Sequence, residues 1–457
     1  METGMGSTTA TALRSAIAKR DVAAWLRSFK DPAERSHQLA KCSADDLRAL
    51  GPLLDSDGAT ELFESIDDEL TAYVLAAMAA PDAASLVDAL DLDHAADVLR
   101  DMKDTPREQV LSVLPQIRAD VLRGLLSWPP DSVAAHMVPE ALTVRPDMTV
   151  GEAVASIRGD AATLRSDSRT GAYVYVTDDD NRLLGVVAFR DLVLCDAQDT
   201  VAALTNSDVL SVSPLTDAEE AAQALVDYNL VAVPVVDADN RLLGILTENT
   251  ANDITAEEAT EDAERQGGSE PLEVPYLRAS PWLLWRKRIG WLLLLFIAEA
   301  YTGTVLRHFE EEMEAVVALA FFIPLLIGTG GNTGTQITTT LVRAMATGQV
   351  RLRDVPAILA KEMSTGMMIA LTMALAALIR AWMLGVGPEI TLTVCLTVAA
   401  IVLWSSFVAS ILPPVLKKCR VDPAVVSAPM IATIVDGTGL IIYFMIAHAT
   451  LSQLQGL

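Results

Sequence analysis

The sequence predicts a multidomain chain: an all-α helical-repeat N domain, a tandem α/β pair, a connecting helix and a five-span α-helical transmembrane domain. Three observations carry this. Beyond Pro281 five apolar segments follow one another, at 289–306, 315–343, 357–384, 391–416 and 424–453. Each is near or above the ~20 residues that a membrane-crossing helix needs. Further forward, Asp178-Asp179-Asp180-Asn181-Arg182-Leu183-Leu184-Gly185 returns as Asp237-Ala238-Asp239-Asn240-Arg241-Leu242-Leu243-Gly244, offset by 59. Residues 20–130 are short stretches rich in Ala, Leu and Asp, in which Ala83-Ala84-Ser85-Leu86-Val87 recurs as Ala95-Ala96-Asp97-Val98-Leu99. Such self-similarity suggests stacked helical hairpins.

These signals divide the chain into an acidic helical N domain at 1–134, α/β units at 135–200 and 201–254, a connecting helix at 255–280 and the membrane domain at 281–457. The net charge of −26 belongs to the front: residues 1–280 hold 50 Asp/Glu against 22 Lys/Arg, and residues 281–457 hold 10 against 12. Nucleic acid is excluded as a partner, since phosphate binding needs a basic face. The acid serves either a soluble, self-repelling surface or carboxylates gathered for hard cations. Cys42, Cys195, Cys395 and Cys419 show no CxxC spacing, so neither zinc nor a disulfide framework is indicated. No nucleophile–base pair or metal-hydrolase motif is present, so the chain is not expected to be an enzyme. The N-terminus lacks the apolar core of a secretory signal, which places residues 1–280 in the cytoplasm.

Each copy of the repeat follows a β-rich run, at 172–176 and 231–236, and its Asp/Asn cluster makes a hairpin turn. Amphipathic helices precede the strand pairs near 150–157 and 218–227. The polar stretch 255–266 reads as helix, with Glu257, Glu258, Glu261 and Asp262 on its surface.

The first span is short unless it extends back through Trp282 to Trp285; these and Trp291 suit an interfacial belt. Arg286, Lys287 and Arg288, then Arg343, Arg351, Arg353 and Lys361, then Lys417, Lys418 and Arg420 lie on one side. Only Arg307 and Arg380 lie on the other. This bias predicts an N-terminus inside and a C-terminus outside. Glu310, Glu311, Glu312 and Glu314 then face outward.

Asp436 is the only formally charged side chain between residues 424 and 450. A carboxylate at that depth costs roughly 2.5–3.5 kcal/mol, and is borne where it faces a bundle interior or a water-filled path. It reads as a functional residue. The alternative is a structural carboxylate paired with a buried cation, the preceding one being Arg420, four turns back on the same helix. In the second span, Pro324-Leu325-Leu326-Ile327-Gly328-Thr329-Gly330-Gly331-Asn332-Thr333-Gly334-Thr335-Gln336 is expected to break an otherwise apolar helix. Irregular backbone is tolerated at that depth only where protein or water satisfies it, and its oxygens suit a hydrated cation. The alternative is close helix packing through small residues. A Walker-type phosphate loop is excluded, because no Lys-Ser/Thr follows.

The tandem unit resembles a pair of CBS domains. Together with the intramembrane motif, Val421-Asp422-Pro423-Ala424 and Ala432-Thr433-Ile434-Val435-Asp436-Gly437-Thr438-Gly439-Leu440, it resembles the MgtE magnesium transporters over nearly the whole chain. The resemblance implies a homodimeric Mg²⁺ channel for uptake across the plasma (inner) membrane, closed when its cytoplasmic domains bind Mg²⁺. Mg²⁺ sheds water reluctantly and prefers octahedral oxygen surroundings. Two copies of Asp436 across a dimer axis would hold the hydrated ion, with Asn332 and neighbouring hydroxyls lining the path. Ala428 and Thr335 depart from the family pattern, where Asn is common.

For the sensor, the resemblance carries Asp93 and Asp97 in the N domain, Asp217 and Glu219 in the second CBS unit, Asp253, Glu258 and Glu261 in the connecting helix, and Asp422 at the cytoplasmic mouth. Without metal these acids repel and part the domains; with Mg²⁺ bridging them, the connecting helix is drawn against the pore. Asp422 also suits an N-cap, and the rest suit solvated surface. Asn229 and Thr250 stand where the family can have acids. CBS pairs often bind adenine nucleotides, which here assigns Arg190 and Asp191 as contacts for ATP, although the first unit lacks the usual hydroxyl. Two rival functions remain. An ion-coupled divalent-cation exchanger would need further intramembrane acids, for which Glu299 and Glu362 are candidates, both expected near span ends or bilayer faces. A membrane-anchored CBS sensor would need neither Asp436 nor the second-span motif.

Overall fold

The computed structural model describes residues 6–160, 173–272, 274, 276–419, 421–425 and 428–454. The chain forms two compact units, Met1–Glu258 with Leu272–Ala279, and Ala259–Pro271 with Ser280–Leu457.

In the first unit the front of the chain is a run of short helices, several packing on the next but one. Asp68–Ala77 lies on Leu92–Asp101, and Ala80–Ala89 on Asp104–Val113. The recurring pentapeptide explains the stacking. Ala83, Ala84, Leu86 and Val87 on one helix, and Ala95, Ala96, Val98 and Leu99 on another, are buried in the same core. Much of the acid is local helix chemistry. Asp21, Asp31, Asp55 and Asp67 accept from the amides of Ala24, Ala33, Gly58 and Leu70 at 2.7–3.2 Å, satisfying first-turn donors that otherwise lack partners.

The repeat builds two matched hairpins. Strands β1 (Thr143–Val144), β2 (Tyr173–Thr177) and β3 (Leu183–Ala188) form one sheet in that order, with β1 parallel to β2 and β2 antiparallel to β3. Strands β4 (Ala232–Val236) and β5 (Leu242–Thr247) pair antiparallel. Ala172, expected to open β2, lies outside the described residues. In both turns Asn adopts the left-handed conformation, Asn181 at φ 61° and Asn240 at φ 63°. Asp178 Oδ1 accepts from the amides of Asp180 and Arg182, and Asp237 Oδ1 repeats this with Asp239 and Arg241. The Asn side chains are exchanged: Asn181 donates to Leu242 O at 2.8 Å and Asn240 to Leu183 O at 2.7 Å. Helices Val150–Asp160 and Ala218–Asp227 precede the hairpins. Directly after β5, helix Glu248–Gln266 runs on, starting earlier than the polar stretch suggested.

The second unit has five helices long and apolar enough to cross a membrane: Pro281–His308, Val317–Ala346, Leu352–Leu384, Pro388–Lys418 and Ala428–Thr450. The first does extend back through Trp282 and Trp285, which stack at 4.5 Å, and is capped by Ser280 Oγ accepting from the Leu283 amide. One expectation is corrected. The second span is a continuous α-helix over Ile323–Ala346, straight through its glycines; only Val317–Phe322 departs, as a 3₁₀ turn. The helix bearing Asp436 is described over Ala428–Thr450, with a separate 3₁₀ turn at Pro423–Val425 before it. Arg420 itself lies outside the described residues.

Candidate functional site

Glycines bring the second span against the fifth. A Cβ on Gly330 would stand 2.6 Å from Val435 Cγ1 and 2.7 Å from Ile401 Cγ2, and one on Gly331 would stand 3.3 Å from Ala432 Cβ. At Gly330 only hydrogen fits without displacing a neighbour, and at Gly331 a side chain would press on Ala432. The motif's oxygens are largely satisfied within the helix: the hydroxyls of Thr329 and Thr333 donate to the carbonyls of Leu325 and Thr329 at 2.7 and 2.8 Å. Ser405 Oγ donates to Gly330 O at 2.7 Å. Small-residue packing is thus what the glycines do. Asn332 and Gln336, one turn apart, stand on the exposed face of the single chain.

That packing positions Asp436. Its Oδ1 lies 3.8 Å from the Cβ position of Gly331, and it is buried without a hydrogen-bond partner. Gly437 meets the Tyr301 ring and the Thr302 hydroxyl of the first span. Sequence reasoning set Glu299 aside as lying near a span end or bilayer face. It lies on Pro281–His308, nine residues before its end and one turn before Thr302, which packs on Gly437 beside Asp436. Glu362 stays near the start of its span.

At the entrance to the fifth span, Asp422 Oδ1 accepts from the Ala424 amide at 2.8 Å, the capping role its sequence suggested. Its Oδ2 accepts from Arg265 Nη1 at 2.7 Å, and the same guanidinium pairs with Glu261. Two expected metal carboxylates therefore share a cation supplied by the chain. Arg265 was missed, although its i, i+4 spacing from Glu261 was a signal. Burial, and then the charge of Asp422, push the neighbouring Asp262 carboxyl up.

In the first unit Asp93 and Asp97 do come together. Asp93 Oδ2 accepts from Thr250 Oγ1 at 3.0 Å, while Asp97 pairs with Arg100 and with His136. Asp101 and Glu257, both missed as site residues, lie near them. The i, i+4, i+8 spacing of Asp93, Asp97 and Asp101 was readable. Asp217 instead caps helix Ala218–Asp227, accepting from the Glu219 and Glu220 amides at 3.1 and 3.3 Å. Asp253 and Glu258 lie along helix Glu248–Gln266. Arg190 Nε and Asp191 Oδ1 pair with each other at 3.3 Å on the surface. Among the described residues no group of three His, Cys, Asp or Glu is arranged to hold a metal ion.

Burial, and then the charge of Asp97, push Asp93 from 3.8 up to about 6. The folded state therefore holds this proton more tightly than the unfolded chain, so stability rises as pH falls through 6 and levels off below 3.8. His94, pushed up to about 9 overall, acts in the same direction at higher pH: its bond and charge pairing with Asp68 outweigh the burial that would lower it. That stabilisation is complete below 6.5 and lost as pH rises through 9. Asp93→Asn is expected to raise the melting temperature of the first unit at pH 7 by about 2–4 °C. The gain should shrink on acidification and vanish below pH 3.8, as thermal unfolding across that range would show.

Comparison with known proteins matches these parts to named families. The family described as MgtE intracellular N domain matches residues 30–131, CBS domains match 133–196 and 201–251, and the family described as divalent cation transporter matches 323–446. The magnesium transporter MgtE of Thermus thermophilus is 38% identical over 364 residues, covering 79% of this chain and 80% of that one. The magnesium transporter MgtE of Bacillus subtilis is 28% identical over 402 residues, covering 88% of each. A crystal structure of the cytosolic domain of the Mg²⁺ channel MgtE in complex with ATP aligns with TM-score 0.47 at 27% identity, covering 54% of this chain and 99% of that one. With a helical N domain, a CBS pair and a five-helix membrane unit whose glycines lie beside a half-buried acid, the chain belongs to the MgtE family of divalent cation transporters.

Proposed function

We propose that this chain is a homodimeric Mg²⁺ channel of the plasma membrane, carrying Mg²⁺ past Asp436 and closed by Mg²⁺ on its cytoplasmic domains. One observation carries the reading most: Asp436 Oδ1 is buried without a partner in a membrane helix, against the glycine face of another span. A carboxylate so placed is expensive unless a cation or water meets it. Mg²⁺ fits because it is held through its water by few, well-spaced acids. Asn332 and Gln336 support the second copy, since polar side chains facing lipid need cover. The bias of Lys and Arg supports N-terminal domains in the cytoplasm and a C-terminus outside.

For gating, a divalent cation would relieve the repulsion between Asp93, Asp97, Asp101 and Glu257. Arg100 and His136 already offset Asp97, so Mg²⁺ gains most at Asp93 and Asp101. Asp217, Glu219, Asp253 and Glu258 would add to this sensor, and Arg190 and Asp191 would contact ATP at the CBS pair. Mg²⁺ uptake into proteoliposomes, with Ca²⁺, Mn²⁺ and Co²⁺ as competitors, tests the central reading. Saturable uptake that Mg²⁺ competes for best supports it; no uptake above empty vesicles overturns it. A second reading, an ion-coupled exchanger, gains from a second intramembrane acid, Glu299, one turn from Thr302, which packs at Gly437 beside Asp436. It requires uptake to follow an imposed ion gradient.

A further inference from the structure

Glu299 is the only formally charged residue between Arg288 and Arg307 on the first span. At ~1.5 Å of rise per residue it lies roughly 16 Å from one and roughly 12 Å from the other along the span. In the single chain it is exposed. A charged carboxylate there costs roughly 2.5–3.5 kcal/mol against lipid, so it faces protein or water.

The packing of the first span on the fifth shows which way it turns. Gly437 admits the Tyr301 ring and stands, at its Cβ position, 3.2 Å from Thr302 Oγ1. Thr302 is 5% exposed, yet its hydroxyl has no hydrogen-bond partner. Glu299 precedes Thr302 by three residues and so shares its helix face. Asp436 is the neighbour of Gly437 in the chain, and its buried Oδ1 also lacks a partner. The first span thus carries Glu299 and Thr302 one turn apart where it packs on the fifth beside Asp436, and the Thr302 hydroxyl and Asp436 Oδ1 there are both buried without a partner.

We propose that Glu299 is a second carboxylate of the cation path, so that the passing ion meets a pair of acids in each chain, with Thr302 as a further oxygen. This rests on the reading that Asp436 lines the path. Two like charges at one level repel, and a divalent ion relieves that repulsion more fully than a monovalent one. Glu299 is therefore a specificity residue, raising the preference for Mg²⁺ over Na⁺ and K⁺.

The test uses the full-length protein in proteoliposomes, measuring Mg²⁺ uptake against Mg²⁺ concentration with Na⁺ as competitor. Glu299→Gln keeps the shape and removes the charge. It is expected to raise half-saturating Mg²⁺ about tenfold, the effect of roughly 1.4 kcal/mol of ion binding, and to let Na⁺ compete. Glu299→Asp should restore most of both. An unchanged half-saturation and Na⁺ sensitivity in Glu299→Gln overturns the proposal. So does a lower maximal rate alone, which marks a structural role, or loss of response to an imposed pH gradient alone, which assigns Glu299 to a coupling ion. If the wild-type protein takes up no Mg²⁺, the channel reading and this inference fall together. If it does and Glu299→Gln matches it, only the inference falls.

Discussion

Replacing Asp436 with alanine is expected to reduce Mg²⁺ uptake to the level of protein-free vesicles and to leave a Mg²⁺-uptake-deficient cell unrescued. Insertion should be unharmed, because removing a carboxylate from an apolar helix relieves roughly 2.5–3.5 kcal/mol of transfer cost. Packing should also survive, since the second span meets this helix through Val435, Ala432 and Ile431. Loss of transport with normal protein in the membrane therefore reports on the ion. Full rescue by Asp436→Ala would remove Asp436 from the path.

A chain beginning at Ala259 is expected to conduct Mg²⁺ without closing as cytoplasmic Mg²⁺ rises to millimolar levels. The cut falls where the first compact unit gives way to the second, so the membrane helices keep their own packing. It removes Asp93, Asp97, Asp101, Glu257 and the acids of the second CBS unit. Of the expected sensor residues, Glu261 and Asp422 stay, and Arg265 holds both. Little uncompensated acid is left to bind metal. Closure of the truncated channel by Mg²⁺, measured as current in excised patches, would place the sensor in the membrane unit instead.

The fold was widely legible because its signals are long or repeated. Spans announce themselves by length and hydropathy, and a 59-residue offset repeats turn, strand and helix together. The second-span glycines were misjudged as a break because composition cannot distinguish a glycine that frees the backbone from one that admits a neighbour. Val435 and Ile401 decide that, and they are far away in sequence. Asp436 was legible as a charge in the wrong solvent. Glu299 carries the same signal, yet its importance depends on which way the first helix is turned, set by Gly437 against Tyr301 and Thr302. The sensor acids were half legible. Spacing marks Asp93, Asp97 and Asp101 as one face, but nothing local reveals that Arg100 and His136 answer Asp97, or that Arg265 answers Asp422.

Helix Glu248–Gln266 is unbroken. Thr250, Ala251 and Ile254 are buried near its start, and Glu261 and Arg265 engage near its end. Counted from Ile254, residues 261 and 265 return to nearly the same angle, because an α-helix turns about 100° per residue. A single inserted residue would swing Arg265 about 100° away from Asp422, whereas seven would bring it back to within about 20°. Because each residue turns the helix by about 100°, the four-residue step from Glu261 to Arg265 fixes whether one guanidinium can serve both Glu261 and Asp422.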